Sequence, residues 1–118
     1  MEKRFEIVFL EEVLNFLRSL NPKHNKKILY NIRKAQFETN AELFNKLYED
    51  IWEFRTLYDG IQYRLLAFWD KSEQTKTIVI STHAFVKKSS KVPKKEIHKA
   101  IQLKTKYFIN KSTGKLNQ

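Results

Sequence analysis

The sequence contains no cysteine, only two glycines and two prolines, and a single acid from residue 83 onward. Without cysteine there can be no disulfides and no thiolate metal sites, which suits a reducing cytoplasm. So little glycine and proline leaves no room for a low-complexity linker, and neither a Walker loop nor a dinucleotide glycine loop is present. No apolar run reaches the ~20 residues a membrane-spanning helix needs. Lys3-Arg4 ahead of Phe5, Ile7, Val8, Phe9 and Leu10 has the outline of a signal peptide. Glu6, Glu11 and Glu12 interrupt it, and no small-residue cleavage site follows. The expectation is a cytoplasmic protein without a membrane association.

What the chain does have is a lopsided charge. Residues 1–82 hold 13 Lys+Arg against 12 Asp+Glu, whereas residues 83–118 hold 10 Lys against Glu96 alone, so nearly all of the net charge of +10 lies in the last third. A localised basic surface is the electrostatic footprint of a protein that meets a polyanion. At 118 residues, with 42% hydrophobic and 14% aromatic content, the composition is that of one folded domain over 1–118 and not of a disordered basic tail.

Periodicity supplies the order of elements. Arg4 to Phe9 alternates as a short strand. Val13, Leu14, Leu17 and Leu20 recur at helical spacing until Asn21-Pro22 ends that helix. A second helix runs from Pro22 to about Phe37, with Ile28, Leu29, Ile32, Ala35 and Phe37 apolar and Lys23, Lys26, Lys27, Arg33 and Lys34 on its wet side, so that the two pack as an αα-hairpin. From Leu47 a strand points Tyr48, Trp52 and Phe54 one way and Ile51, Glu53, Arg55 and Leu57 the other. Tyr58-Asp59-Gly60 turns the chain. Ile61, Tyr63, Leu65, Ala67 and Trp69 then share one face, with Gln62, Arg64, Leu66 and Phe68 opposite. Asp70 to Gln74 reads as a polar turn, and Thr77 to Phe85 as the best-buried strand. Pro93 is expected in the first position of a last helix carrying Ile97, Ala100, Ile101, Leu103, Tyr107 and Phe108, and Ser112 to Gln118 as a frayed end. The predicted order is β-α-α-β-β-β-α, an α+β domain whose strands form an antiparallel meander.

No metal-ligand spacing links His24, His83 and His98, and nothing suggests a nucleophile on a strained turn. Basic groups on strands remain. If the first two meander strands pair, Arg55 and Arg64 project from one side of the sheet, the side away from the helices, and His83, Lys87, Lys88 and Lys91 arrive at its edge. Each has a structural alternative: Arg55 pairing with Glu53 or Glu49, Arg64 snorkelling, His83 as a hydrogen-bonded structural histidine, the lysines as a solvated face. Trp52 and Trp69 read as core.

Three segments resemble the RelE/ParE toxin superfamily, in its HigB-like, phage-derived branch. They are Leu43-Phe44…Leu47…Ile51-Trp52-Glu53-Phe54-Arg55, Tyr63-Arg64-Leu65-Leu66, and His83-Ala84-Phe85-Val86-Lys87-Lys88 followed by Pro93, Ile97 and Ala100. Ala84 stands where the family usually has Gly. The resemblance covers roughly residues 4–108 and implies a RelE-like fold and a type II toxin: a ribosome-dependent mRNA endonuclease needing no metal or other cofactor. Its implied partners are mRNA, the ribosome with its 16S rRNA, and a cognate antitoxin, a small helix-turn-helix protein. The RelE branch carries lysines where this chain has Ile51 and Trp52, so the general base is expected at His83 instead.

The chemistry fits such groups. Cleavage of RNA by its own 2′-hydroxyl needs a base, cationic stabilisation of the phosphorane, and a proton for the leaving oxygen. Arg55 and Arg64 cannot deprotonate and so can only hold charge. His83, with an ordinary pKa of about 6.5, can titrate. The expected catalytic set is His83, Arg64, Arg55 and Lys88, with Lys87, Lys91, Lys94 and Lys95 on flanking phosphates. Two other functions share the fold: a ParE-like gyrase-binding toxin without nuclease activity, and a non-toxic nucleic-acid-binding phage-derived protein.

Overall fold

The protein is seen in a computed structural model that describes residues 2–114. Its elements are β1 (Glu6–Phe9), α1 (Glu11–Ser19), α2 (Pro22–Phe37), β2 (Phe44–Tyr48), β3 (Ile51–Tyr58), β4 (Ile61–Asp70), β5 (Ile78–Val86) and α3 (Lys94–Ser112). The strands make one sheet in the order β1-β5-β4-β3-β2, with β1 parallel to β5 and every other pair antiparallel. Among the described residues, no helix is long and apolar enough to cross a membrane.

Local chemistry explains most boundaries. Asn21 Oδ1 accepts from Lys23 N at 2.9 Å and caps α2, whose first residue is Pro22, a ring already set at helical φ. Asp59 and Gly60 both take positive φ, 51° and 73°, the turn that matches the twist of a two-residue hairpin. The β3–β4 register follows, with Arg55 directly opposite Arg64.

The α+β order holds, with one strand more than the sequence suggested. The segment read as a single strand from Leu47 is the hairpin β2–β3, reversed at Glu49-Asp50, where Glu49 adopts φ 47° without being glycine. Pro93 is the N-cap of α3 and not its first helical residue, and no side chain caps that end. The helix holds to Ser112; of the end expected to fray, residues 115–118 lie outside the described residues.

Strand alternation divides the core in two. Phe5, Val13, Leu17, Ile28, Ile32, Phe54, Tyr63, Leu65 and Val79 are buried together under α1 and α2, with Trp52 and Trp69 packed against them. The opposite face buries Ile51, Leu66, Phe68, Ile80 and Ala100 under α3. β4 therefore has apolar residues on both sides and is covered on both. This corrects the expectation that the arginine face points away from the helices: it faces away from α1 and α2, and α3 lies across part of it.

Candidate functional site

The sheet face that α3 leaves uncovered is the floor of an open cleft of about 670 Å³. Glu53 and Arg55 from β3 and Arg64 from β4 form the floor. Leu47 and Tyr48 stand on one side; Lys87, Ser90, Lys91 and Val92 of the β5–α3 loop, with Lys94, Ile97 and His98 of α3, stand on the other. Two features of the backbone make this arrangement. Cross-strand pairing brings the two guanidinium groups to one face. Lys87 N donates to Gln62 O at 2.8 Å, which carries the β5–β4 ladder into the loop and aims the basic segment over that face.

The floor is electrostatically uneven. Arg64 is 3% exposed, with Nε 3.0 Å from Glu53 Oε1 in a buried ion pair that lacks hydrogen-bond alignment. Its Nη1 donates to Tyr63 O at 3.2 Å and its Nη2 to Gln62 Oε1 at 3.1 Å, so each Nη keeps an N–H for another acceptor. Burial lowers the Arg64 pKa, Glu53 opposes this, and the neighbouring Arg55 lowers it further. The group remains charged at any working pH. Arg55 is less buried and has no carboxylate partner among the described residues. The cleft thus holds one acid, Glu53, against Arg55, Arg64, Lys87, Lys91 and Lys94.

His83 is not in this cleft. It is 1% exposed, beneath the first turns of α3. Nε2 lies 3.2 Å from Glu96 Oε1 and Nδ1 2.9 Å from Thr82 Oγ1. A carboxylate can only accept, so Nε2 carries the proton and Nδ1 accepts from the Thr82 hydroxyl. Burial is the main cause that lowers the pKa of the ring, with Lys99 adding to the shift and Glu96 and Glu12 opposing it. The expected direction is present, but its cause is desolvation, and the nearby cation is Lys99 instead of Lys87, Lys88 or Lys91. A bulge at Ser81–His83 opposite Leu66-Ala67 shifts the alternation of β5 and sets the ring on the same sheet face as Arg64, but on the part of that face that α3 covers and not on the open floor of the cleft.

Of the other expected residues, the structure gathers Arg55, Arg64, Lys87, Lys91 and Lys94 at the cleft, whereas Lys88 and Lys95 are exposed outside it. Lys95 follows Lys94 by one helical step, about 100° around the axis, and so leaves the lip. Sequence reasoning missed Tyr48, which needed the β2–β3 hairpin, and His98. The latter had a signal: it stands four residues after Lys94, on the same helix face. Among the described residues no three of His, Asp or Glu converge as a metal site would need.

The site is thus a basic cleft on the face of a small, mostly antiparallel sheet in an α+β domain. Residues 15–105, most of the chain and every residue lining the cleft, match the family described as phage derived protein Gp49-like (DUF891). The chain belongs to that family, a toxin-like group of the RelE/HigB type. No curated protein matches it.

Proposed function

We propose that this chain is the toxin of a type II toxin–antitoxin pair, a ribosome-dependent mRNA endonuclease whose cognate antitoxin is a small helix-turn-helix protein. The observation that carries the reading is the Arg55–Arg64 cross-strand pair on the floor of a cleft rimmed by Lys87, Lys91 and Lys94. In-line attack by a 2′-hydroxyl builds negative charge on the phosphorane oxygens. Two guanidinium groups on rigid strands are pre-organised to receive it, an effect worth about 10²- to 10³-fold for a single donor in other enzymes. The lysines hold flanking phosphates.

His83 does not fit the base in this scheme, because both of its ring nitrogens are occupied. His98, on the cleft lip, takes the proton-carrying role, with Tyr48 across from it as a surface on which a base can stack. So few acid–base groups imply that the ribosome supplies part of the alignment. Purified protein incubated with naked mRNA and with programmed ribosomes tests this: cleavage is expected only on the ribosome. Equal cutting of both would overturn the reading, as would growth arrest accompanied by double-strand DNA breaks with intact messages.

A further inference from the structure

The near-neutral charge of residues 1–82 conceals a second basic surface. α2 carries Lys23, Lys26, Lys27, Arg33 and Lys34 and not one acid. Its core side is Ile28, Ile32 and Ala35, so the cations stand outward at 23, 26–27 and 33–34 with Tyr30 between them, a stripe about 16 Å long. Lys34 has Glu38 within ion-pair distance, at 3.9 Å; Lys23, Lys26, Lys27 and Arg33 have no carboxylate partner among the described residues. Three of these lysines crowd the first turns, the positive end of the helix dipole, where cations oppose folding unless an anion is nearby.

The stripe is not merely charged. Lys23, Lys26, Lys27, Tyr30 and Tyr58 line a recess of about 330 Å³. Tyr30 is 58% exposed, with Lys27 Nζ 5.2 Å from its ring centroid. Tyr58 is held from behind by the edge-to-face ring of His24 at 4.9 Å, and His24 is itself fixed by Tyr63 Oη at 2.8 Å and Asp59 Oδ2 at 2.9 Å. One wall of the recess is therefore built and rigid.

From these features we infer that α2 is a second nucleic-acid contact, taking the backbone of a structured RNA with an unpaired nucleotide, its base against Tyr30 and its phosphates on Lys23, Lys26 and Lys27. It lies on the face of the sheet opposite the cleft. In a molecule whose shortest extent is 27 Å, the two surfaces are separated by more than the ~8 Å over which charges act at physiological salt, so they grip different RNA segments. A continuous DNA duplex presents no unstacked base to the recess, whereas loops and bulges of RNA do. A membrane surface is disfavoured because the apolar side of α2 is already buried in the core and cannot enter lipid. The inference rests on the proposed function only in choosing RNA, and it does not require cleavage.

Fluorescence anisotropy of the full chain, with an RNA hairpin bearing an unpaired loop, a DNA duplex of equal length and phosphatidylserine vesicles, tests it. Lys23→Gln/Lys26→Gln/Lys27→Gln should reduce the slope of log K against log salt on the hairpin by about 2. Lys87→Gln/Lys91→Gln/Lys94→Gln should reduce it separately, and the two sets together by the sum. Tyr30→Ala should weaken the hairpin by about 10-fold and leave the DNA duplex unchanged. All of these positions are at the surface, and circular-dichroism melts check the fold. An unchanged slope for the α2 triple variant would overturn the inference. So would combined variants no weaker than the cleft variant alone, equal loss on hairpin and duplex for Tyr30→Ala, or charge-dependent binding found only on vesicles. Loss of RNA binding in both variant sets without any ribosome-dependent cleavage would remove the nuclease and leave this contact standing.

Discussion

His83 and Glu96 join the end of the sheet to the start of α3, Nε2 to Oε1 at 3.2 Å, with the ring buried. The only acid of the last third is thus taken up by positioning, and Lys87, Lys91, Lys94 and Lys95 have no carboxylate partner among the described residues, whereas Lys99, Lys104 and Lys111 pair with acids from earlier in the chain. Two signals that looked separate in the sequence, a histidine opening the basic segment and a lone glutamate inside it, are one contact. That contact holds the turns of α3 that carry Lys94 and His98 to the cleft.

A positioning role for His83 makes its replacement mild. His83→Gln keeps a donor toward Glu96 and an acceptor toward Thr82. Single-turnover cleavage on programmed ribosomes should stay within about tenfold of wild type with the same pH profile, where loss of a true base costs roughly 10²- to 10⁴-fold. Because the folded ring has a lowered pKa, the unfolded chain takes up a proton first as pH drops below about 6.5. His83 therefore contributes stability above that pH and loses it as the pH falls further. Thermal melts of the variant should show a flatter acid limb. A 10²-fold rate loss at unchanged melting temperature would return His83 to the role of base.

Arg64 calls for a different substitution from the obvious one. Arg64→Ala would leave Glu53 buried without its cation, a change costing about 3–5 kcal/mol, so its loss of activity would be ambiguous. Arg64→Lys keeps the charge but lacks the planar fork that can serve Glu53 and a phosphate together. Cleavage should fall by about 10² while urea melts stay near wild type. Glu53→Gln should tighten RNA binding by removing the cleft's one carboxylate. Weaker binding in Glu53→Gln would mean that the carboxylate aligns Arg64.

What the sequence disclosed followed from alternation, and what it hid followed from breaks in alternation. Arg55 and Arg64 could be placed on one face because Asp59-Gly60 announces a two-residue turn, which sets the register. The β2–β3 reversal has no such mark, since Glu49 reaches positive φ without glycine, and Tyr48 was lost with it. The bulge beside His83 carries no compositional signature, yet it decides which side of the sheet the ring enters. Leu66 and Phe68 opposite Leu65 and Ala67 carry the mark of a strand covered twice, a mark that the expectation of an arginine face turned away from the helices passed over. Counting charge by thirds averaged the basic α2 against acids elsewhere.

The lysines of the last third divide by position. Lys87, Lys91 and Lys94 line the cleft; Lys88 and Lys95 do not. Replacing either group with Gln removes charge and should flatten the salt dependence of RNA binding, by up to about 0.9 for each phosphate no longer neutralised. Only the first group should also lower the single-turnover rate at saturating protein. Equal rate effects from Lys88→Gln/Lys95→Gln would mean that position in the cleft is irrelevant and that net charge alone matters.

Asp70 anchors the other end of α3. Its carboxylate is 1% exposed and accepts from Lys111 Nζ at 2.6 Å, Tyr107 Oη at 2.7 Å, and Ser72 Oγ and N at 2.6 and 2.9 Å. Burial alone would push its pKa up; the hydrogen bonds from Lys111, Ser72 and Tyr107 outweigh that and hold it well below the ordinary carboxylate range. The Tyr107 phenol moves the other way, raised by burial and by its bond to the carboxylate. For Asp70 the unfolded state binds the proton first as pH falls below about 4, so its contribution is present above that pH and lost on acidification. For Tyr107 the unfolded phenol ionises first above about pH 10, so its contribution is lost as the solution becomes alkaline. The anchor should thus be steady between those limits. Asp70→Asn, which keeps the size but loses the charge opposite Lys111, should lower the melting temperature at pH 7 and flatten both limbs of the pH–stability curve. An Asp70→Asn curve parallel to wild type throughout would show that α3 is held by Ala100, Ile101 and Phe108 alone.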